Sequence, residues 1–242
     1  MDFLEIYETE HNKERIGSDN DGGYVIATGN DLSYELLISC GISDDIQFEE
    51  HFLDKYDTKC IAFDGTISSL PNPNDKIQFV KKNITNNESD NTTTLHNIIN
   101  SYDNIFLKMD IETNEYQWLE TMTVDDLKKI SQIVIEFHFP FDNSKDYIFE
   151  KLSFPISVDR KINCLKKLAN THYLIHLHGN NCCGFTAYKN VRVPNVFECT
   201  YLRKDLAKNV KFNKKPIPDQ YLDRPNVKGN AELHFSGYPF CQ

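Results

Sequence analysis

Carboxylate and imidazole side chains follow the apolar runs of this sequence at three places. The candidates for chemistry there are Asp110, Glu136, His138 and His178. A histidine with a pKa near neutrality, close to carboxylates, is suited to remove the proton of a hydroxyl group. Asp110, Glu136 and His138 also have the ligand types for a divalent cation that polarises a substrate hydroxyl. A general base, a metal centre and, for His138, a buried structural histidine all stay open as interpretations.

A second candidate site surrounds Gly41, which follows the apolar run 34–40. The turn after it is not a GxGxxG loop, no P-loop lysine follows, and its acidic residues would repel a pyrophosphate. NAD and ATP are therefore poor ligands for this turn. S-adenosylmethionine suits it better, because this molecule carries a sulfonium and an ammonium. Its single carboxylate can still accept hydrogen bonds from backbone N–H groups.

Asp64 lies 23 residues after Gly41, at the end of the next apolar run. Nucleoside-binding α/β folds place at this point the acid that holds the ribose hydroxyls. The alternative interpretation of Asp64 is a turn-forming Asp-Gly pair with Gly65. The glycine turn and the acid together indicate a nucleoside-containing cofactor more strongly than either does alone.

Alternating apolar runs and amphipathic segments predict the elements that position these residues. Strands are predicted at 34–40, 59–63, 76–80, 105–107, 132–137, 172–178 and 196–202, with a short strand at 24–27. Helices are predicted at 43–56, 94–102, around Trp118, after Thr123 and at 160–169, with Asp44 and Thr123 as caps. This order predicts an α/β protein with a mostly parallel, doubly wound sheet and helices on both faces. The candidate residues then meet at the carboxyl edge of the sheet.

Residues 1–242 are predicted to form one domain. Its core spans about 15–205, and the Pro- and Gly-containing residues 206–242 are predicted to form an irregular tail packed on that core. Apolar residues make up 40% of the chain and charged residues 26%, which is typical of globular proteins. No indication of an oligomeric state is found.

Charge and hydropathy argue against two kinds of partner, nucleic acids and membranes. The net charge of −10 disfavours nucleic acid, because affinity for it rests on clustered Lys and Arg. No apolar run reaches the roughly 18 residues that a membrane helix needs. The first residues lack the pattern of a signal peptide, so a cytoplasmic protein is expected.

Five segments together resemble the FkbM-like class I methyltransferases. They are DGGYVI at 21–26, LLISCGISDDIQFEE at 36–50, IAFDGT at 61–66, LKMDIETNEYQWLE at 107–120 and IVIEFH at 133–138. The likeness is greatest to a branch with an Arg-x-Gly…Asp-Gly-Gly-Tyr start, a Ser-x-Gly-Ile turn and a His-Gly-Asn-Asn segment, and it covers most of 15–202. The family pattern at the fourth strand is K-[IM]-D-[IV]-E-G, and Thr113 stands where Gly is usual.

The resemblance implies a Rossmann-like, seven-stranded sheet with the last strand antiparallel. It also implies S-adenosylmethionine as methyl donor, S-adenosylhomocysteine as product, and O-methylation, often of a sugar or glycan acceptor. The cofactor-binding residues carried over are Tyr24, Ser39, Gly41, Ile42, Asp44, Phe63, Asp64, Gly65 and Asp110. The residues expected at the reacting hydroxyl are Asp110 and His138, with Glu136 and His178 nearby. Related members occur in large DNA viruses that build their own glycans, and a viral source would place the protein in a host cytoplasm.

Absent motifs favour an oxygen acceptor within this resemblance. The Asn/Asp-Pro-Pro-Tyr of amine methylation and the Pro-Cys nucleophile of cytosine methylation are both missing. Two alternatives remain: a nucleic-acid O-methyltransferase acting on an RNA ribose or cap, and a catalytically silent S-adenosylmethionine-binding domain. An NAD-dependent dehydrogenase would need the glycine fingerprint that is absent.

Overall fold

Seven strands form the central sheet of a computed structural model that describes residues 1–142 and 156–242. In chain order the strands are β1 (Leu36–Cys40), β2 (Lys59–Phe63), β3 (Ile77–Val80), β4 (Ile105–Met109), β5 (Ile130–His138), β6 (His172–Gly179) and β7 (Val196–Arg203). Their order across the sheet is β6-β7-β5-β4-β1-β2-β3. Only β7 runs antiparallel to its neighbours, β5 and β6. The predicted Rossmann-like sheet, mostly parallel with its last strand antiparallel, is confirmed.

Helices and small ribbons surround this sheet. The helices are α1 (Gln47–Lys55), α2 (His96–Ile99), α3 (Glu115–Thr121), α4 (Val124–Lys128) and α5 (Val158–Thr171), with 3-10 turns at Asp2–Leu4 and Lys204–Leu206. The described residues also form four two-stranded ribbons: Tyr7–Glu8 with Lys211–Phe212, Asn12–Gly17 with Gly23–Thr28, Asn83–Ile84 with Thr92–Thr93, and Phe185–Tyr188 with Val191–Pro194. The predicted strand 24–27 therefore belongs to a ribbon outside the main sheet. No helix in the described part of the chain is long and apolar enough to span a bilayer.

The central strands are apolar throughout because both faces of the sheet are covered. Every residue of β1, β4 and β5 is buried. On one face Leu107 and Ile135 belong to a cluster with Trp118 of α3 and Leu165 of α5. This packing explains why the sequence shows continuous apolar runs here rather than alternation.

The opposite face carries α1 and the ribbon that contains Tyr24. Phe52 of α1 packs on Phe106 with ring centroids 4.5 Å apart, and Tyr24 meets Phe48 edge-to-face at 5.6 Å. Leu37 of β1 lies in the same cluster. Helices were predicted on both faces, and on this face the ribbon covers the sheet together with α1.

Local backbone conformations shift the helix boundaries from their predicted positions. The predicted cap Asp44 is wrong: α1 begins at Gln47 after Ile46, and the Gln47 N–H group donates to Asp45 Oδ1 at 2.9 Å. The helix predicted at 94–102 is reduced to α2, because Leu95 before it has a φ of 68° and cannot be helical. At Thr123 the predicted cap is confirmed, and it forms a capping box, since its side chain and that of Asp126 each accept the other residue's backbone N–H group.

The connection from β4 to α3 holds two residues in the left-handed region. Glu112 has a φ of 54° and Thr113 a φ of 79°. A branched side chain at positive φ is strained, which accounts for glycine at this place in the family pattern. Thr113 is also buried, and its hydroxyl has no hydrogen-bond partner among the described residues.

Thr113→Gly is therefore expected to raise the free energy of unfolding by about 1 kcal/mol. Relief of strain contributes about 1–3 kcal/mol, and the added flexibility of the unfolded chain offsets about 1 kcal/mol of it. Urea denaturation of the variant and the parent protein measures the difference. Thr121→Gly, in the last turn of α3, is the matched control and should lower stability by about 1 kcal/mol. Equal losses for both variants would contradict strain at Thr113.

Candidate active site

A cavity of about 250 Å³ opens at the carboxyl ends of β1, β2 and β4. Gly41, Phe63, Asp64 and Asp110 line it, each at or just beyond the end of a strand. The strand register places these ends side by side, because Cys40 pairs with Phe63 on one side and with Met109 on the other. This is the edge at which parallel α/β sheets bind ligands.

Glycine is the only residue type that fits at position 41. Its φ is 80°, and a Cβ placed there would lie 1.7 Å from the carbonyl oxygen of Asp110. Its N–H group donates to the Phe63 carbonyl at 2.9 Å, and its carbonyl accepts from Lys108 Nζ at 2.6 Å. The turn is thus held to both neighbouring strands, with backbone rather than side chain facing the cavity.

Asp64 fastens the same turn to the end of β2. Its Oδ2 accepts from the N–H groups of Ile42 at 3.0 Å and Ser43 at 2.8 Å, and its Oδ1 accepts from the N–H and hydroxyl of Thr66 at 2.7 and 2.5 Å. Burial by itself would raise the pKa of Asp64, but these hydrogen bonds outweigh it and leave the pKa below the usual value. The carboxylate is therefore ionised and rigidly oriented.

The other predicted cofactor residues flank the cavity without lining it. Ser39 is buried beneath the turn and donates to Glu49, and Asp44 is exposed. Gly65 faces the side chain of Asn83, which would lie 2.4 Å from a Cβ at this glycine. The Ile42 N–H group donates to Asp64, and the Tyr24 hydroxyl donates to Asp110.

A second cavity, of about 270 Å³, adjoins the first. Asp110 and Glu112 line both cavities, and Glu136 and His138 line the second. The structure thus brings three of the four predicted catalytic residues to one cavity. His178, the fourth, lines neither.

Asp110 lies at the boundary between the two cavities. Its Oδ2 accepts a hydrogen bond from the Tyr24 hydroxyl at 3.2 Å. Its Oδ1 is buried and has no hydrogen-bond partner among the described residues. Such an oxygen has a free lone pair for a ligand or for a proton.

His138 lies between two carboxylates. Its Nδ1 is 3.0 Å from Glu115 Oε1, and its Nε2 is 3.4 Å from Glu112 Oε2. Burial alone would lower the pKa of His138, but the charge and hydrogen bond of Glu115 raise it well above the usual value. These surroundings favour the protonated form of the imidazole, and the role of His138 at the reacting hydroxyl stays a prediction.

Glu136, Glu198 and His178 stand in a row across β5, β7 and β6. The antiparallel register pairs Glu198 with both other residues, so the three side chains share one face of the sheet. Burial, followed by the charge of Asp110, raises the pKa of Glu136 well above its usual value, and Asn180 Nδ2 donates to its Oε1 at 2.8 Å.

His178 is a charged group behind the second cavity. It contacts Glu198 Oε2 through Nδ1 and Glu232 Oε2 through Nε2, both at 3.3 Å. Burial would lower the pKa of His178, but hydrogen bonds with the two glutamates raise it to about 10. Because the pKa of His178 is raised in the folded protein, its contribution to the free energy of unfolding should depend on pH.

His178→Asn is expected to lower the free energy of unfolding by about 3 kcal/mol at pH 6, because it removes the charged partner of the buried Glu198 carboxylate. A pKa raised in the folded state stabilises fully below the unfolded value of 6.5 and progressively less as the pH rises toward about 10. The difference between parent and variant should therefore shrink between pH 6.5 and 9, as measured by urea denaturation.

His172 in the same strand is the matched control. Burial lowers its pKa to about 4, so it is neutral in both folded and unfolded states above pH 7.5. The cost of His172→Asn should consequently stay constant between pH 7.5 and 9. A constant cost for His178→Asn as well would contradict a charged His178.

The predicted metal ligands do not converge as one set. Asp110, Glu115 and His138 have ligand atoms within 4.8 Å of one another, whereas Glu136 instead groups with Asp21 and Glu198. The predicted trio of Asp110, Glu136 and His138 is thus divided between two clusters.

Several residues of this region were not predicted. Glu115 was missed although it is the third acid in DIETNE, and Lys108 was missed although it lies in the same motif. Asp21 stands in the DGGY segment but carried no assigned role. Asn226 had no local signal, since only the path of the C-terminal residues brings it to the second cavity.

Solved structures with a similar course of the chain include several methyltransferases. The plantazolicin methyltransferase BpumL in complex with SAH is 12% identical, with 69% of this chain and 75% of that chain covered and a TM-score of 0.37. The antibiotic-resistance methyltransferase Kmr is 11% identical, with 78% and 99% covered and a TM-score of 0.33. A chain from the complex of the Haloferax volcanii Trm112 methyltransferase activator with a methyltransferase is 6% identical, with 72% and 84% covered and a TM-score of 0.38.

Sequence comparison gives a more specific result. No curated protein matches this sequence. The family model of the methyltransferase FkbM domain matches residues 8–160, which is more than half of the 242 residues. The chain therefore belongs to the FkbM methyltransferase family and is an S-adenosylmethionine-dependent methyltransferase.

Proposed function

We propose that the protein methylates a hydroxyl group of a sugar or glycan acceptor and releases S-adenosylhomocysteine. The observation that carries this proposal is Asp110, whose unpartnered Oδ1 lies at the boundary of two adjoining cavities. One cavity would hold the methyl donor and the other the acceptor. A carboxylate between them is placed to take the hydroxyl proton.

The first cavity fits the donor. The Gly41 turn leaves space that a Cβ would fill, so backbone groups can approach the methionine part closely. Asp64 lines this cavity beside Phe63, but four hydrogen bonds from the chain already occupy its two oxygens, so a ribose hydroxyl would have to share one of them. When bound, the donor supplies a methyl group made electrophilic by its sulfonium.

The chain's own residues orient the acceptor and manage one proton. Tyr24 holds Oδ2 of Asp110, which leaves Oδ1 for the hydroxyl of the acceptor. The charge of Glu115 raises the pKa of His138, so this residue would balance the charge of the carboxylates on either side of it and leave the proton to Asp110. Positioning and proton transfer are the two contributions that such a reaction needs.

A glycan array incubated with the labelled donor tests the acceptor class. Label transferred to one or more sugars supports the proposal, and EDTA in a parallel incubation shows whether a divalent cation is needed. Label on RNA but on no sugar would contradict the proposal and support methylation of nucleic acid instead. Calorimetric binding of S-adenosylhomocysteine without transfer to any sugar or RNA would favour a silent cofactor-binding domain.

A further inference from the structure

Three carboxylates from separate segments converge on the second cavity. Asp21 lies in the turn of the ribbon Asn12–Gly17/Gly23–Thr28, Glu136 lies in β5 and Glu198 in β7. Each offers an oxygen, and the three oxygens lie within 4.8 Å of one another. Asp21 and Glu136 line the cavity itself.

The donors around these carboxylates are mostly neutral. Asn180 donates to Glu136 at 2.8 Å, and Asn226 Nδ2 donates to Glu198 Oε1 at 2.6 Å and to Asp21 Oδ1 at 3.4 Å. Within residues 1–142 and 156–242, no Lys or Arg forms an ion pair with any of the three. Among the described residues, two imidazoles act on the cluster. His178 contacts Glu198 but also Glu232, and the charge of His138, which lies between Glu112 and Glu115, lowers the pKa of Glu136.

The negative charge in the cluster is therefore incompletely balanced. Burial, followed by the charge of Asp110, raises the pKa of both Asp21 and Glu136. The charge of Glu198 adds to both shifts, and this repulsion between carboxylates, unlike the effect of burial, is relieved when a positive charge enters.

Asn226 gives a second and independent indication of a ligand. It lines the cavity, only 7% of it is exposed, and its Oδ1 has no hydrogen-bond partner in the described part of the chain. A buried amide oxygen without a donor is unfavourable, and such oxygens are common ligands of hard cations and acceptors for ammonium groups.

We infer that Asp21, Glu136, Glu198 and the amide oxygen of Asn226 form a subsite for a compact positive charge. The charge is supplied either by an ammonium group of the acceptor or by a divalent cation bound beside it. Because Asp110 lines the same cavity, the bound charge would lie next to the hydroxyl that is methylated, so this inference rests on the proposed function. Anionic acceptors such as sugar phosphates are disfavoured by the same carboxylates.

Isothermal titration calorimetry on the full chain, saturated with S-adenosylhomocysteine at pH 7, tests the subsite. The probes are MgCl2, CaCl2, glucosamine and its uncharged counterpart N-acetylglucosamine. Saturable binding of a metal ion supports the metal source. Binding of glucosamine at least 10-fold tighter than that of N-acetylglucosamine supports the ammonium source.

Asp21→Asn, in the turn of the ribbon, should weaken the binding of whichever cation binds by at least 10-fold, and Glu136→Gln should do the same. Asp125→Asn, an exposed acid on α4, is the matched control and should leave it unchanged. The subsite is overturned if no probe cation binds, or if neither Asp21→Asn nor Glu136→Gln weakens it. Failure to bind S-adenosylhomocysteine would instead count against the proposed function, so the two failures are distinguishable.

Discussion

Asp110→Asn is expected to lower the rate constant of methyl transfer by about 10²–10⁴-fold, the range that a positioned general base contributes. Asparagine has the same shape and its oxygen can still accept the hydrogen bond from Tyr24, but it cannot take the proton of the acceptor hydroxyl. The measurement is the single-turnover rate with labelled donor and an acceptor identified on the array.

Cofactor affinity separates this effect from damage to the fold. Asp110→Asn should bind S-adenosylhomocysteine within about threefold of the parent protein, and its unfolding midpoint in urea should change little. An unchanged transfer rate in this variant would remove Asp110 as the base. A loss of cofactor binding equal to the loss of rate would make it a binding residue.

Gly41→Ala is expected to have the largest effect on stability, lowering the free energy of unfolding by about 4 kcal/mol or more. The new Cβ would lie 1.7 Å from the Asp110 carbonyl oxygen, so either the turn or the start of the β4–α3 connection must move. Binding of S-adenosylhomocysteine should be lost with it, since both segments line the first cavity. Urea denaturation and calorimetry measure the two losses.

Gly229→Ala isolates the cost of backbone conformation from that of the clash. Gly229 has a φ of 90°, close to that of Gly41, but no atom lies within 4 Å of its Cβ position. Its replacement should therefore cost only about 1–2 kcal/mol and leave cofactor binding intact. Similar costs for both glycines would show that the close approach to Asp110 is unimportant.

The elements of the sheet could be predicted because their apolar runs are a direct result of burial on two faces. β2, for example, was predicted with its observed bounds Lys59–Phe63. The first residues of the helices were harder to predict from the sequence. Ser43 and Leu95 adopt positive φ, and neither residue type indicates that conformation. The cap expected at Asp44 failed for this reason.

The sequence predicted the positions of those site residues that lie at the end of an individual strand. Asp110 and Glu136 follow from their strand ends, and the Gly41 turn with Asp64 follows from its spacing. The raised pKa of His138 was not predictable, because it depends on the contact with Glu115 of α3, which lies in another element of the fold. The cluster around Glu198 depends on antiparallel register and on distant C-terminal residues, neither of which leaves a local pattern.

The reversed direction of β7 has a consequence for how this enzyme could diversify. The chain leaves β6 at Gly179 and re-enters the sheet at Val196, so residues 180–195 form a single insert that begins and ends beside the second cavity. The family match ends at residue 160, before this insert. Replacement of this segment would exchange part of the lining of the second cavity and leave the Gly41 turn, on the other side of β4, untouched. Under the proposed function, chimeras that exchange residues 180–195 would change the acceptor and keep the donor site.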